Sequence, residues 1–223
     1  MPRPDRPRGR PHAKSSTAPK SAAASGDEAA SAPRIIGGEL RGRRLEFVPH
    51  ARTRPMKDRV RETLFDLLGT SIRGAIALDL FAGTGALGFE AVSRGAARAI
   101  FAEQHFPTAD AVRKSARALG IADRVDVRGG DVLLWTKRMP ELPTTVHWVV
   151  FISPPWDFFH AGHARRAELL ALIDSMRRAA PPGSTLVVEA DTAFDPASLA
   201  EPAAWEPRPI PPAVLYFLVG NGT

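Results

Sequence analysis

Three carboxylates, a pair of glycines and a Pro-Pro-aromatic corner are the residues of this chain whose types and spacing could do chemistry. Asp79 stands four residues before Gly83 in Ala77-Leu78-Asp79-Leu80-Phe81-Ala82-Gly83-Thr84-Gly85-Ala86-Leu87-Gly88. The apolar start of this stretch reads as a buried strand, the glycines as a tight turn, and the remainder as a helix N-terminus. That combination holds a ligand at the carboxyl edge of a sheet. The G-x-G-x-x-G spacing from Gly83 to Gly88 alone would admit a nicotinamide dinucleotide and an oxidoreductase. Asp79 argues against that, because a pyrophosphate approaches this segment in a dinucleotide site. A carboxylate suits a ligand that presents a cation, such as the amino-acid part of S-adenosylmethionine. Glu103 closes the next strand, Ile100-Phe101-Ala102-Glu103, and can take both hydroxyls of a ribose, which fits either cofactor. Asp131 follows Gly129-Gly130 and either accepts from an adenine amino group or caps a helix.

The second group is Ser153-Pro154-Pro155-Trp156, at the end of a strong strand. Consecutive prolines fix the backbone and leave carbonyls without a competing local N–H. The Pro154 carbonyl can then accept from a planar amino group while Trp156 offers a face on which the base stacks. If the ligand of the cradle is S-adenosylmethionine, the reaction expected of these two groups is in-line methyl transfer to an exocyclic amine. A sulfonium is already an activated leaving group, so no metal and no covalent enzyme intermediate are needed, and catalysis rests on positioning and desolvation.

The elements that must position these groups follow from the hydrophobic pattern. A strand at 75–80 leads to a helix at 86–94, a strand at 97–103 to a helix at 107–119, and a short strand at 124–128 to a helix at 131–138. Val146 to Ile152 reads as a strand followed, after a loop, by a helix at 164–179, and Ser184–Ala190 and Val214–Val219 read as further strands with Pro-rich spacers between them. Repeated β–α units predict a Rossmann-like α/β fold, a mostly parallel sheet with helices on both faces. Ahead of it, Arg34 to Val48 looks like two short strands about a glycine-containing turn, a small N-terminal β-hairpin. Val60, Leu64, Leu67 and Leu68 give the stripe of a helix over 57–68.

Composition bounds the setting. There are 223 residues, enough for one α/β domain with an appendage. The absence of cysteine excludes disulfides, Cys-ligated zinc, iron–sulfur clusters and a cysteine nucleophile, and is compatible with a cytoplasmic protein. No apolar run approaches a membrane span, and the N-terminus has no apolar signal-type stretch. The formal net charge of +6 favours a polyanionic partner. Residues 1–33 are rich in Pro, Arg, Ala and Ser and are expected to form a disordered basic arm, with the folded domain over 34–223. Within its first part, 34–70, the cations Arg34, Arg41, Arg43, Arg44, Arg54, Lys57 and Arg61 crowd just before the glycine cradle. Arginine suits phosphate because its planar fork donates two parallel hydrogen bonds, so these seven residues are the expected nucleic-acid contacts.

Taken together, these motifs resemble a known family. Ala77–Gly88 is similar to the S-adenosylmethionine motif of class I methyltransferases, and Ser153-Pro154-Pro155-Trp156 resembles the Asp/Asn-Pro-Pro-aromatic motif of enzymes that methylate exocyclic amines. Arg34-Ile35-Ile36-Gly37-Gly38, Arg41-Gly42-Arg43, Arg54-Pro55 and Asp58 to Phe65 resemble the N-terminal signature of the RsmD-like guanine-N2 methyltransferases of small-subunit (16S) ribosomal RNA. The resemblance implies a seven-stranded class I methyltransferase sheet, with S-adenosylmethionine as cofactor and ribosomal RNA or an assembling small subunit as partner of a monomeric enzyme. It implies that Asp79, Gly83 and Gly85, with Phe81 in the same turn, hold the methionine part, that Glu103 holds the ribose and that Asp131 lies near the adenine. Ser153, Pro154, Pro155 and Trp156 would hold the guanine. The chain departs from the family pattern at Ser153, where the family has Asp or Asn, at Met56, where it usually has Thr, and in its apolar last strand. Ser153 motivates a further reading, a catalytically weakened RNA-binding or ribosome-assembly protein, and the Pro-Pro-aromatic platform, which accepts several planar amines, leaves another, an amino-methyltransferase acting on another nucleic acid.

Overall fold

A computed structural model of the chain describes Met1 and residues 32–49, 56, 58–138 and 140–220. The chain divides into Met1–Ser31 and Ala32–Thr223, and every element below belongs to the second part. The expected disordered arm, apart from its ends, lies outside the described residues, as do Arg54 and Lys57.

Seven strands form one sheet: β1 (Ile76–Asp79), β2 (Arg98–Glu103), β3 (Val125–Gly129), β4 (Trp148–Ile152), β5 (Thr185–Asp191), β6 (Glu206–Ile210) and β7 (Ala213–Val219). Their order is β3-β2-β1-β4-β5-β7-β6, parallel through β5 and antiparallel at β7 and β6. The chain starts at the middle, runs outward to β3, then returns to β4 on the other side of β1. The carboxyl ends of β1 and β4 therefore flank a crevice, where open α/β sheets bind ligands.

Among the described residues four α-helices cover the sheet: α1 (Asp58–Leu68), α2 (Ala86–Ser93), α3 (Phe106–Leu119) and α4 (Arg166–Ala179). Side chains alternate across a strand, so each strand feeds two cores. Ala77, Phe101, Phe151 and Val187 pack with α1, α2, α3 and the N-terminal segment, whereas Leu78, Ile100, Val150 and Val188 pack with α4. Each fully buried Phe or Leu contributes roughly 1.5–3 kcal/mol, so both faces are well anchored.

All eight residues of α2 are buried, which no amphipathic surface helix would show. The helix is sandwiched between the sheet and residues 34–45, and its two polar side chains serve the backbone of that segment. Glu90 accepts from Ile36 N at 2.8 Å; Ser93 Oγ accepts from Leu40 N at 2.9 Å and donates to Gly37 O at 2.5 Å. Gly38, at φ 75°, lies so close that a Cβ there would stand 1.9 Å from Ser93 O. Only glycine fits, which explains the Gly37-Gly38 pair in physical terms. The expected two-stranded hairpin is reduced to a single antiparallel bridge, Arg34 with Arg44, flanked by Ile35 N to Arg43 O at 3.0 Å. The segment divides its backbone hydrogen bonds between its own turn and α2.

Three expectations are corrected. The helix over 131–138 is a short 3-10 turn, Val132–Thr136. Leu67, placed on the buried stripe of α1, is 45% exposed; the buried face instead carries Val60, Arg61, Leu64, Phe65 and Leu68. The Pro-rich spacer contains β6, whose Pro207 and Pro209 are tolerated because the strand lies at the sheet edge.

Candidate functional site

The strand–turn–helix cradle forms as expected. β1 ends at Asp79, and the turn that follows places Gly83 at φ 49° and Gly85 at φ 76°, with Gly85 leading into α2. A left-handed backbone costs glycine little and a side chain much. A Cβ on Gly88 would stand 2.3 Å from the Phe101 ring, so this glycine lets α2 press onto β2.

Asp79 is 1% exposed, and its Oδ2 accepts from Gly88 N at 3.0 Å. Burial pushes its carboxyl up from 3.8 to about 7; the Gly88 N–H opposes this and the nearby Glu103 charge adds to it. A buried carboxyl raised this far, at a strand end beside a glycine turn, marks a candidate functional group. Glu103, at the end of β2, ties the cradle together. One oxygen accepts from Gly83 N and the other from His105 N, both at 2.7 Å. Phe81 is half-buried in the same turn.

Beyond β3, Asp131 caps the 3-10 turn, accepting from Leu133 N at 3.1 Å, and its second oxygen meets Arg165 Nη2 at 2.5 Å. The capping alternative for Asp131 is therefore realised, with an ion pair added. Phe106 opens α3 three residues after Glu103 and is 64% exposed, against the Gly129 turn. Sequence reasoning passed over Phe106; a large apolar residue just after a strand-end acid was the available signal.

β4 delivers the second corner. Its register sets Asp79 beside Phe151 and Ile152 beside Val188, so Ser153 follows at the strand end between the β1 turn and Glu189 of β5. Ser153 and Trp156 are half-buried, and Trp156 heads a 3-10 turn, Trp156–Phe159. The Pro155 carbonyl is engaged by Phe158 N at 3.0 Å. Phe158 and Phe159 anchor the turn in the α4-side core. By strand alternation Asp79, Glu103, Ser153 and Glu189 all point to the sheet face that carries α1, α2 and the N-terminal segment. Glu189 was not singled out from the sequence. Burial raises its carboxyl above the ordinary carboxylate range, and a hydrogen bond from the Ser153 hydroxyl opposes that rise.

The arginines divide. Arg34, Arg41, Arg43 and Arg44 are exposed on the N-terminal segment; Arg34 pairs with Asp58 at 3.3 Å and Arg43 donates to Ala118 O at 2.9 Å. Arg61 is a correction: it is fully buried, donating through Nη2 to Arg34 O at 2.6 Å and Asp58 Oδ1 at 2.9 Å, with Glu90 4.0 Å from its Nε. It ties α1 to the N-terminal segment and presents nothing to a polyanion. We expect Arg61→Met to lower stability by about 1–2 kcal/mol, because methionine refills the volume and Glu90 keeps Ile36 N and Arg94 as donors. Chemical denaturation of the two proteins checks this.

Among the described residues no group of His, Asp and Glu is arranged to hold a metal, and no helix is long and apolar enough to cross a membrane.

Residues 33–206 match the family model described as conserved hypothetical protein 95. The ribosomal RNA small subunit methyltransferase D of Escherichia coli (strain K12) is 39% identical over 123 residues, which cover 55% of this chain and 60% of that protein. The aligned part thus spans less than two thirds of that relative. Among solved structures, yhhF from Escherichia coli matches with a TM-score of 0.67 at 28% identity, over 86% of this chain and 99% of that one. The Thermus thermophilus 16S rRNA N2 G1207 methyltransferase (RsmC), solved with AdoMet and guanosine, matches with a TM-score of 0.63 at 20% identity, over 85% of this chain and 50% of that one, a likeness of fold.

Proposed function

Since this chain belongs to the conserved hypothetical protein 95 family, the RsmD-like methyltransferases, we propose that it transfers a methyl group from S-adenosylmethionine to the exocyclic N2 of a guanine in small-subunit ribosomal RNA. The observation that carries this reading is the delivery of Asp79, Glu103 and Ser153 by the adjacent strands β2, β1 and β4 to one edge and one face of the sheet.

The residues present fit the donor. Asp79 is a buried carboxylate without a cation, suited to the ammonium of the methionine part. The left-handed Gly83 and Gly85 let the backbone approach it, and a Cβ on Gly85 would stand 2.9 Å from Phe89. Phe81 stands half-buried in the same turn. Glu103 already holds Gly83 N and His105 N, and its remaining lone pairs can accept both ribose hydroxyls. The exposed Phe106 ring offers the adenine a face, with Asp131 at its edge. Bound S-adenosylmethionine supplies an electrophilic methyl on a positively charged sulfur.

The chain's own residues do the rest. Trp156 stacks the extruded guanine, and the Pro154 carbonyl and Ser153 accept from its amino group, turning the nitrogen lone pair toward the methyl. Pro155 fixes that corner. Exposed Arg34, Arg41, Arg43 and Arg44 grip the RNA backbone, with Arg54 and Lys57 proposed alongside them. Because α2 is stapled to that segment through Glu90 and Ser93, the RNA grip and the donor cradle are built on one helix.

The test uses the purified full chain, donor labelled on the methyl group, and naked small-subunit RNA and assembled subunits offered separately, with calorimetry of the donor in parallel. Donor binding together with label in RNA from one of the two is the expected result. Donor binding without transfer to either would sink the enzymatic reading and leave an RNA- or ribosome-binding protein.

A further inference from the structure

Methylating an amine leaves a proton to be removed. Atoms and electrons balance as follows: the nitrogen lone pair forms the N–C bond, the C–S pair returns to sulfur, and one N–H proton must leave the nitrogen. A serine hydroxyl alone is a poor destination, since it carries no charge and an isolated protonated hydroxyl is not stable in water. Ser153, however, is not alone. The β4–β5 register, Phe151 with Val187 and Ile152 with Val188, continues to set Ser153 beside Glu189. Both side chains point to the face that carries Asp79. Glu189 lies within strand β5, flanked by Val188 and Ala190, which are both buried, so its carboxylate is held in place by a rigid element.

We infer that Glu189 is a positioning residue for methyl transfer and acts through Ser153, the two side chains together doing the work of one strand-end carboxylate. The inference rests on the proposed methyl-transfer reading. The Ser153 hydroxyl donates its single proton to a Glu189 oxygen, which leaves the Oγ lone pairs facing outward. A hydroxyl that donates to a carboxylate is a stronger acceptor, because the charge polarises it. Oγ therefore fixes the target N–H, and as the N–C bond forms that proton passes to Oγ while the hydroxyl proton passes to Glu189. Water later takes it from the carboxyl. Burial supports this arrangement, since it holds the Glu189 carboxyl above its ordinary range and so brings its proton affinity closer to that of the reacting group.

Two variants of the full chain decide it: Glu189→Gln, and Ser153→Asp combined with Glu189→Gln. Glutamine keeps the volume and removes the charge; the double variant returns a carboxylate to the β4 end. With labelled donor and the small-subunit RNA that the unaltered chain methylates, Glu189→Gln should lower kcat by about tenfold or more. Its calorimetric affinity for the donor should stay close to that of the unaltered chain, and its melting temperature should not fall, since the variant has no charge to bury. The double variant should recover kcat to within about threefold. An unchanged kcat in Glu189→Gln overturns the inference. So does a loss matched by weaker donor binding, which marks a structural role, or a double variant as slow as the single one. An unaltered chain that binds donor yet transfers nothing overturns the methyl-transfer reading itself, and this inference with it.

Discussion

Asp79→Asn is expected to weaken S-adenosylmethionine binding by about 100-fold, roughly 3 kcal/mol, and in the same molecule to raise the stability of the donor-free protein at alkaline pH. The first effect follows from losing the buried charge proposed to face the ammonium. The second follows from the sign of the pKa shift. The folded carboxyl titrates near about 7 because burial raises it, against 3.8 ordinarily. Between these values the folded protein holds a proton that the unfolded chain has released, so stability from this group falls as pH rises through the window. Above pH 7 the loss is complete and amounts to on the order of 4 kcal/mol. Asparagine keeps an oxygen for Gly88 N and carries no charge to bury. Melting curves of the two proteins should coincide near pH 4 and separate toward pH 8, with the variant the more stable. Donor affinity of the unaltered chain should rise with pH up to about 7. A variant that binds donor normally, or that melts lower at pH 8, would mean that Asp79 is an ordinary structural acid.

Trp156→Ala is the second large effect. Base–aromatic stacking contributes roughly 1–3 kcal/mol per base by alanine substitution, so kcat/KM for RNA should fall by about ten- to a hundredfold. Trp156 follows β4, whereas the glycine turn follows β1, so donor affinity should not move. Trp156→Phe keeps a ring at the same position and should retain most of the activity. Steady-state kinetics with RNA as the varied substrate, and donor titration by calorimetry, separate the two quantities. Equal losses in donor affinity and kcat/KM would argue that Trp156 supports the fold of the 156–159 turn rather than the base.

The cradle was legible in the sequence because its parts are local. An apolar run, an acid and two glycines within twelve residues dictate strand, turn and helix with little help from the rest of the chain. The β–α alternation gave the parallel sheet for the same reason. What was hidden depended on partners distant in sequence. Arg61 lies four residues from Phe65 and seven from Leu68, so helical geometry put it on the buried face. Its charge masked that signal because its buried partner, Glu90, is on another helix. Leu67 looked apolar enough for the core but falls off that face. The prolines of β6 argued against a strand until its place at the sheet edge was known. Glu189 is one acid inside one strand, and only the β4–β5 pairing brings it to Ser153. That pairing also changes how Ser153 reads. In the sequence it is a short hydroxyl where the resembled motif has Asp or Asn; in the fold it stands beside a carboxylate.

The most direct test of the central claim is mass spectrometry of nucleosides from small-subunit RNA incubated with the full chain and a donor whose methyl group is deuterated. The account predicts deuterated methyl on guanosine, at N2, and on no other nucleoside. Deuterium on adenosine or cytidine, or none at all from a chain that binds the donor, would contradict it.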